Sequence, residues 1–441
     1  MRKTIRLFVS IMYLLPAAVS SYAQQDIYLS LDDAMETASQ NNKNIQISEL
    51  EQKIANADFH QTDAAFLPKV SLGYSAVTTN NPLNAFGFLL QQGNVTSEDF
   101  DPAKLNNPGA RQNYSANAEV VMPLFNADML YARKGAKHHT EMYRYKAQYM
   151  QDYIRFEVQK AYTQLQFAYQ TRNVLNSTLD DVNRIYVIVQ DFYNQGLVHK
   201  SDVLNARVQV NTVESALTKA ESNIINASEA LAFLMNTDLA DGKTVFRTDS
   251  LVRQLGLGYN PDFSIMRSDV RAMKEALYAS DAIVKSAKMS FIPRINAFAN
   301  YQFNDASIFR FRKDYYMAGI SLTWDIFSGN YNRSKLKSAI LQRDKMKAEL
   351  DVYTDKSRME VDKTNRELND LLIEIRKQES SVEQAAEALR ILSDRYVEGL
   401  VSTTDLLASQ AQLSQHKLGL AHSVMTYNIT RFYQELLTTI K

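Results

Sequence analysis

Six histidines, at positions 60, 138, 139, 199, 416 and 422, are the only imidazoles in the 441-residue sequence, which has no cysteine. Adjacent His138 and His139 would point about 100° apart on a helix, and His416 and His422 also diverge, so neither pair suits a shared metal ion. The methionines are scattered, which gives a soft-metal route no support. No glycine-rich phosphate loop precedes a helix. The expectation is a protein that is not an enzyme, with no catalytic set, no metal and no cofactor. Two acids stand out instead. Asp202 and Asp405 each follow a Gly-Leu-Val turn, in GLVHKSD and GLVSTTD, where a carboxylate can satisfy the free N–H groups of a helix start. His199, in the first turn, has the side-chain type that titrates near neutral pH.

The elements that carry these turns are defined by missing residues. No proline lies between Pro123 and Pro261, or after Pro293. Residues 124–195 hold one glycine, Gly135, and 330–398 hold none. Proline costs ~3 kcal/mol and glycine ~1 kcal/mol inside a helix, so both stretches read as very long helices. At 1.5 Å per residue each would run on the order of 100 Å. Leu368, Leu371, Ile375, Val382, Leu389, Leu392 and Tyr396 recur at steps of three, four or seven, a stripe for side-by-side helix packing. Gly196 and Gly399 end the helices before the two turns, where a left-handed C-cap is needed.

The chain is duplicated. FYNQGLVHKSDVLNARVQV (192–210) aligns with RYVEGLVSTTDLLASQAQL (395–413), and AFLPKVSLGYS (65–75) with SFIPRINAFAN (290–300). The two offsets, 203 and 225, differ by 22, so the first copy carries an insertion. It falls in 79–112, whose Asn, Pro and Gly content reads as a long loop. The expected division is a signal peptide over 1–23, a first repeat over 24–235, a linker over 236–262 and a second repeat over 263–441. Each repeat holds a helix, two strands, a long helix (127–195 or 331–397), a sharp turn and a further helix (201–235 or 402–438).

Four stretches alternate with period two: 69–78, 114–122, 294–303 and 315–326, the strands themselves being expected at about 68–79, 113–124, 293–303 and 315–327. Val70, Leu72, Tyr74 and Ala76 oppose Lys69, Ser71, Gly73 and Ser75. Tyr114, Ala116, Ala118, Val120 and Met122 oppose Ser115, Asn117 and Glu119. Ile295, Ala297, Ala299, Tyr301 and Phe303 oppose Asn296, Asn300 and Gln302. Tyr316, Ala318, Ile320, Leu322, Trp324 and Ile326 oppose Gly319, Ser321, Thr323 and Asp325. These are lengths at which tilted strands cross a bilayer, with one face for lipid and one for water. Phe66, Phe125, Phe291, Tyr315, Trp324 and Phe327 are candidates for an interfacial aromatic girdle. Four strands leave two open edges, which lipid does not tolerate, so other copies must complete the sheet. Two copies give eight strands and three give twelve. Twelve leave a wet lumen, whereas eight are filled by their own side chains.

The N-terminus agrees with export. Arg2, Lys3 and Arg6 precede the apolar run Leu7–Val19 and the small-x-small site Ser21-Tyr22-Ala23, as in a secretory signal. The 49 basic and 49 acidic residues balance, and loss of the signal leaves a slight acidic excess, which points to no nucleic-acid partner. A trimeric coiled-coil structural or adhesive envelope protein is the alternative, but it would place its strands at one chain end rather than in both halves.

On the repeat, the paired strand hairpins and the GLVHKSDVL and GLVSTTDLL turns, the sequence resembles the outer membrane efflux protein family, the TolC-like channel-tunnels, over essentially the whole mature chain. The resemblance implies a mainly α fold with a transmembrane β part, and a homotrimer whose 12-strand β-barrel stands on a 12-helix α-barrel. It implies a passive gated duct in the cell outer membrane, reaching into the periplasm and contacting outer-membrane lipid. A periplasmic adaptor and an inner-membrane pump would be its partners in efflux or secretion. Adaptor docking maps onto Gly196, Leu197 and Val198 and onto Gly399, Leu400 and Val401. In the best-known members a Tyr before the second turn bonds an Asp after the first; those positions here are Tyr396 and Asp202. Asp405 matches a pore-constriction acid, and three such carboxylates around an axis would favour cations. Val401 stands where those members carry an Arg that makes a second link, and Ala408 where they carry a second acid.

Overall fold

The computed structural model describes residues 26–238, 245–253 and 262–438. The expected signal peptide and parts of the expected linker lie outside them. In chain order the elements are β1 (Asp26–Tyr28), α1 (Leu31–Asn41), α2 (Lys43–Gln61), β2 (Lys69–Thr79), α3 (Pro82–Gln92), α4 (Pro102–Asn106), β3 (Arg111–Phe125) and α5 (Ala127–Asn194). They continue as α6 (Lys200–Met235), β4 (Val245–Arg247), α7 (Ser268–Met289), β5 (Arg294–Asp305), β6 (Lys313–Thr323), α8 (Tyr331–Val397) and α9 (Thr403–Thr438). The fold is mainly helical, and α5 and α8 are 68 and 67 residues long.

The chain divides into two compact units. One is drawn from residues within 1–40, 157–255 and 370–429, the other from 41–156, 256–369 and 430–441. In the first, apolar stripes of neighbouring helices form the core. Leu175 and Val182 of α5 pack with Val210, Val213 and Ala220 of α6. Polar side chains fix the register between α5 and α9. Buried Thr178 donates its hydroxyl to Ser414 Oγ at 3.1 Å, and Gln410 Nε2 donates to Asp181 at 3.1 Å. The same unit contains a short parallel pair, β1 with β4, that the alternation pattern did not reveal. It is tied to the helices by the Tyr162 phenol, which donates to Leu29 O at 3.0 Å, and by the Tyr169 phenol, which donates to Phe246 O at 2.9 Å. Three-residue strands are too short to show a period, which is why the sequence did not disclose them.

The second unit contains a four-stranded antiparallel sheet in the order β2-β3-β5-β6. The two hairpins, one from each repeat, therefore meet along β3 and β5, leaving β2 and β6 as edges. Two sequence expectations change here. β6 ends at Thr323, so Trp324, Ile326 and Phe327 follow the strand rather than extend it. The insertion at 79–112 is not a plain loop, because it holds α3, a short 3-10 turn at Ser97–Phe100, and α4. Residues whose type suggested a loop cap a helix instead: Asn81 accepts from Asn84 N–H, Pro82 takes the first helical position, and Gly93 closes the helix at φ +63°. This is the usual proline-first, glycine-last asymmetry of a helix.

Candidate functional site

Two regions hold the residues singled out by the sequence: the paired turns of the first unit and the sheet of the second.

The turns are built alike. Leu197 N–H donates to Phe192 O at 2.8 Å and Gly196 N–H to Tyr193 O at 2.9 Å; Leu400 N–H donates to Arg395 O and Gly399 N–H to Tyr396 O, both at 3.0 Å. This double closure requires a left-handed residue, supplied by Gly196 at φ +77° and Gly399 at φ +73°. Leu197 and Leu400 are 65% and 66% exposed. Val198 instead packs on the core below, made of Ile185, Val189, Ala206, Tyr396, Leu406 and Leu407, and Val401 is half-buried. Of the six turn residues, the two leucines are thus exposed beside glycines that set the turns, Val198 packs inward and Val401 is half-buried.

Asp202 and Asp405 occupy the third positions of α6 and α9 rather than the N-caps. The Asp202 carboxylate reaches back to accept from His199 N–H at 3.0 Å. At the second turn Ser402 is the cap: its Oγ accepts from Asp405 N–H at 3.1 Å and donates to the Asp405 carboxylate at 2.7 Å. Asp405 stays exposed, and Asp202 is partly covered. His199 is exposed at the helix start, with its backbone engaged by Asp202.

Tyr396 and Asp202 line one recess of about 520 Å³, with Phe192, His199 and Thr403. The phenol–carboxylate bond implied by the resemblance is not the one formed within the chain. Tyr396, almost fully buried, shares its hydroxyl hydrogen bond with Thr403 Oγ1 at 2.9 Å and stacks on Phe192 with ring centroids 5.5 Å apart. The reason is local: Thr403 opens α9 directly beneath the phenol, while the Asp202 oxygens are held by the start of α6. Burial raises the phenol's pKa above its ordinary value and the nearby Asp202 charge adds to this, while the Thr403 hydroxyl works against it. Aligning the repeats gives Tyr193 and Lys200 at the corresponding positions, so this bond belongs to the second turn alone.

In the sheet, register puts the four apolar alternations on one side. Leu72 faces Ala118, Ala118 faces Tyr301, and Tyr301 faces Tyr316; Val70, Val120, Ala299 and Ala318 form a second row. Val70, Leu72, Tyr316, Ile320 and Leu322 are 63–83% exposed, so among the described residues most of this face is uncovered; only near the β5–β6 connection do Phe309, stacked on Tyr74, and Phe311, packed on Phe303, lie over it. Across the sheet lie Ser71, Ser75, Ser115, Asn117, Asn300, Gln302 and Ser321, with Phe298 folded over Gly319. Phe66, Phe125, Phe291, Trp324 and Phe327 are all exposed and lie at one end of the sheet, where Trp324 Nε1 donates to Phe291 O at 3.0 Å. Tyr315 departs from the expected girdle. Strand alternation puts it on the polar face opposite Gln302, and its phenol donates to Leu90 O; Tyr316 takes the apolar side. Among the described residues no helix is long and apolar enough to cross a membrane.

An uncovered apolar sheet with two open edges, joined to helices of this length, defines the channel-tunnel class of outer-membrane proteins. The chain belongs to the outer membrane efflux protein family, which matches residues 34–237 and 265–429. That family consists of transport channels of the outer membrane, and this chain is an outer-membrane protein of that kind. It is similar to the probable outer membrane lipoprotein SilC of Salmonella typhimurium, 20% identical over 406 residues that cover 89% of this chain and 82% of SilC. It is 25% identical over 270 residues to the cation efflux system protein CusC of Escherichia coli O157:H7, covering 59% of this chain and 52% of CusC. Among solved structures, CusC superposes with a TM-score of 0.80 at 15% identity, covering 96% of each chain. The outer membrane protein VceC of Vibrio cholerae gives 0.79 at 19%, covering 93% of this chain and 97% of VceC. These likenesses carry the fold.

Proposed function

We propose that the chain is one third of a homotrimeric duct, in which a 12-strand β-barrel in the outer membrane continues into a 12-helix periplasmic tunnel. The observation that carries this reading is the sheet: one face apolar and uncovered, the other polar, both edges unpaired. In hydrocarbon each unpaired backbone group costs several kcal/mol, so β2 of one copy must pair with β6 of the next until the ring closes. Three copies give a lumen wide enough for water. The long helices then supply the tunnel, and the exposed Leu197 and Leu400 become the docking points for a periplasmic adaptor, since paired apolar side chains held out by a tight turn call for a cover. The adaptor links the duct to an inner-membrane pump, which supplies the energy. Asp202, Tyr396 and Asp405 form the gate at the tip, and the exposed Asp405 carboxylates, one per protomer, favour cations there.

Planar bilayers test the reading. Purified protein should give small, discrete, cation-favouring conductance, larger for Tyr396→Phe combined with Asp202→Ala. Silence from both proteins would overturn it.

A further inference from the structure

The insertion in the first hairpin has no counterpart in the second, and its helix has a defined place. α3 leaves the end of β2 at Pro82. Its far end is fixed to the other strands: Gln92 Nε2 donates to Gln112 O at 2.7 Å and to Asn113 Oδ1 at 3.0 Å, and Asn113 Nδ2 donates to Asn304 Oδ1 at 3.0 Å. The Tyr315 phenol of β6 donates to Leu90 O at 3.2 Å, and Arg312 bonds the Asn94 side chain. Gln92, Asn113 and Asn304 are buried by this packing. By strand register Asn113, Asn304 and Tyr315 all point to the polar face. An eleven-residue helix spans roughly 16 Å, close to the roughly 14 Å across four strands spaced about 4.8 Å apart. α3 therefore lies across the polar face at the sheet's rim, from the β2 edge to the β6 edge.

Its sequence, PLNAFGFLLQQ, is too apolar for a helix facing open water on its outer side. Leu83 near the β2 edge is 81% exposed and Leu90 near the β6 edge is 53% exposed; seven residues apart, they share one face of the helix. Each stays exposed among the described residues, and closing β6 of one copy onto β2 of the next brings the Leu90 end of one α3 to the Leu83 end of its neighbour.

We propose that the α3 helices of three protomers abut head to tail in a ring at the outer rim of the lumen, forming an apolar collar distinct from the gate at the helical tip. The inference rests on the trimeric-barrel reading. Such a contact is heterologous and closes only because the barrel imposes three-fold rotation. Helices about 10 Å thick take up much of the mouth, and an apolar constriction there controls passage by dewetting.

The absence of cysteine in the sequence makes the test clean. Leu83→Cys with Leu90→Cys, oxidised in intact outer membranes, should give a disulfide ladder ending at the trimer mass on a denaturing gel. Each single variant should stay monomeric, because like positions lie a third of the circumference apart. An amine-reactive cross-linker on the same samples reports the trimer independently. Trimers by that reagent without a disulfide ladder overturn the collar and leave the duct standing. No trimer by either reagent overturns both. A disulfide-linked dimer from Leu83→Cys alone also overturns the head-to-tail ring, since it would place like ends together.

Discussion

The Tyr396 hydroxyl lies 2.9 Å from Thr403 Oγ1, across the six residues 397–402 of the second turn, and this bond is internal to one chain. It holds α8 to α9 at the position where the repeat-related turn has Lys200. In the proposed gate this bond would stiffen the tip within each chain, with the Asp202 carboxylate beside the phenol but bound elsewhere. Thr403→Val should therefore loosen the tip. It leaves a buried phenol without its partner, a loss of about 1–3 kcal/mol. The expected outcome is a higher open probability in single-channel recordings than wild type, with trimers intact. Unchanged gating would show that the bond does not bear on closure.

The exposed leucines of the two turns make a separate prediction. Leu197→Asp and Leu400→Asp remove apolar surface without touching the glycine-dependent turn bonds. Stability should change by no more than about 0.5 kcal/mol, as for surface substitutions in general. Adaptor capture in site-specific cross-linking should fall at least tenfold for the pair, because a charge would have to be buried on docking. Gly399→Trp should also abolish capture.

The two faces of the sheet should respond oppositely to charge. Ile320→Lys puts an ammonium on the uncovered apolar face, which costs about 2–4 kcal/mol near a bilayer midplane. Ser71→Lys puts the same group on the polar face. Heat-resistance of the trimer on semi-denaturing gels should drop clearly for the first and hardly for the second. Equal effects would argue that the apolar face does not meet lipid.

Alkaline pH should probe the β1–β4 anchor. Burial pushes the Tyr162 phenol up to about 12 from the ordinary 10.0. A raised folded-state value means that the neutral form is favoured on folding. That contribution is complete below pH 10 and is lost as pH rises towards 12. Over two pKa units this is about 2–3 kcal/mol. Denaturation followed by tyrosine absorbance should show this loss in wild type. In Tyr162→Phe the same window should be flatter, from a baseline lower by about 1 kcal/mol for the missing bond to Leu29 O.

Much of this protein follows from local rules that a sequence displays. Stretches without proline and with at most one glycine became α5 and α8, because helix propensity sums over many residues. Period-two alternation marked the four sheet strands, because side chains of a strand must point to opposite faces. Gly196 and Gly399 marked the turns, because the left-handed conformation is costly for other residues. What the tertiary structure decided depends on distance through space. The pairing of β3 with β5 joins two hairpins some 170 residues apart or more. The partner of Tyr396 is Thr403 because the turn folds them together, whereas the resemblance pointed to Asp202. Tyr315 lies on the polar face because its register against Gln302 fixes its side. The insertion, read as a loop from its Asn, Pro and Gly residues, carries a helix whose caps use those same residues. Its place across the polar rim comes from Gln92, Asn113 and Asn304, amides whose partners lie on three separate segments and leave no periodic trace in the chain.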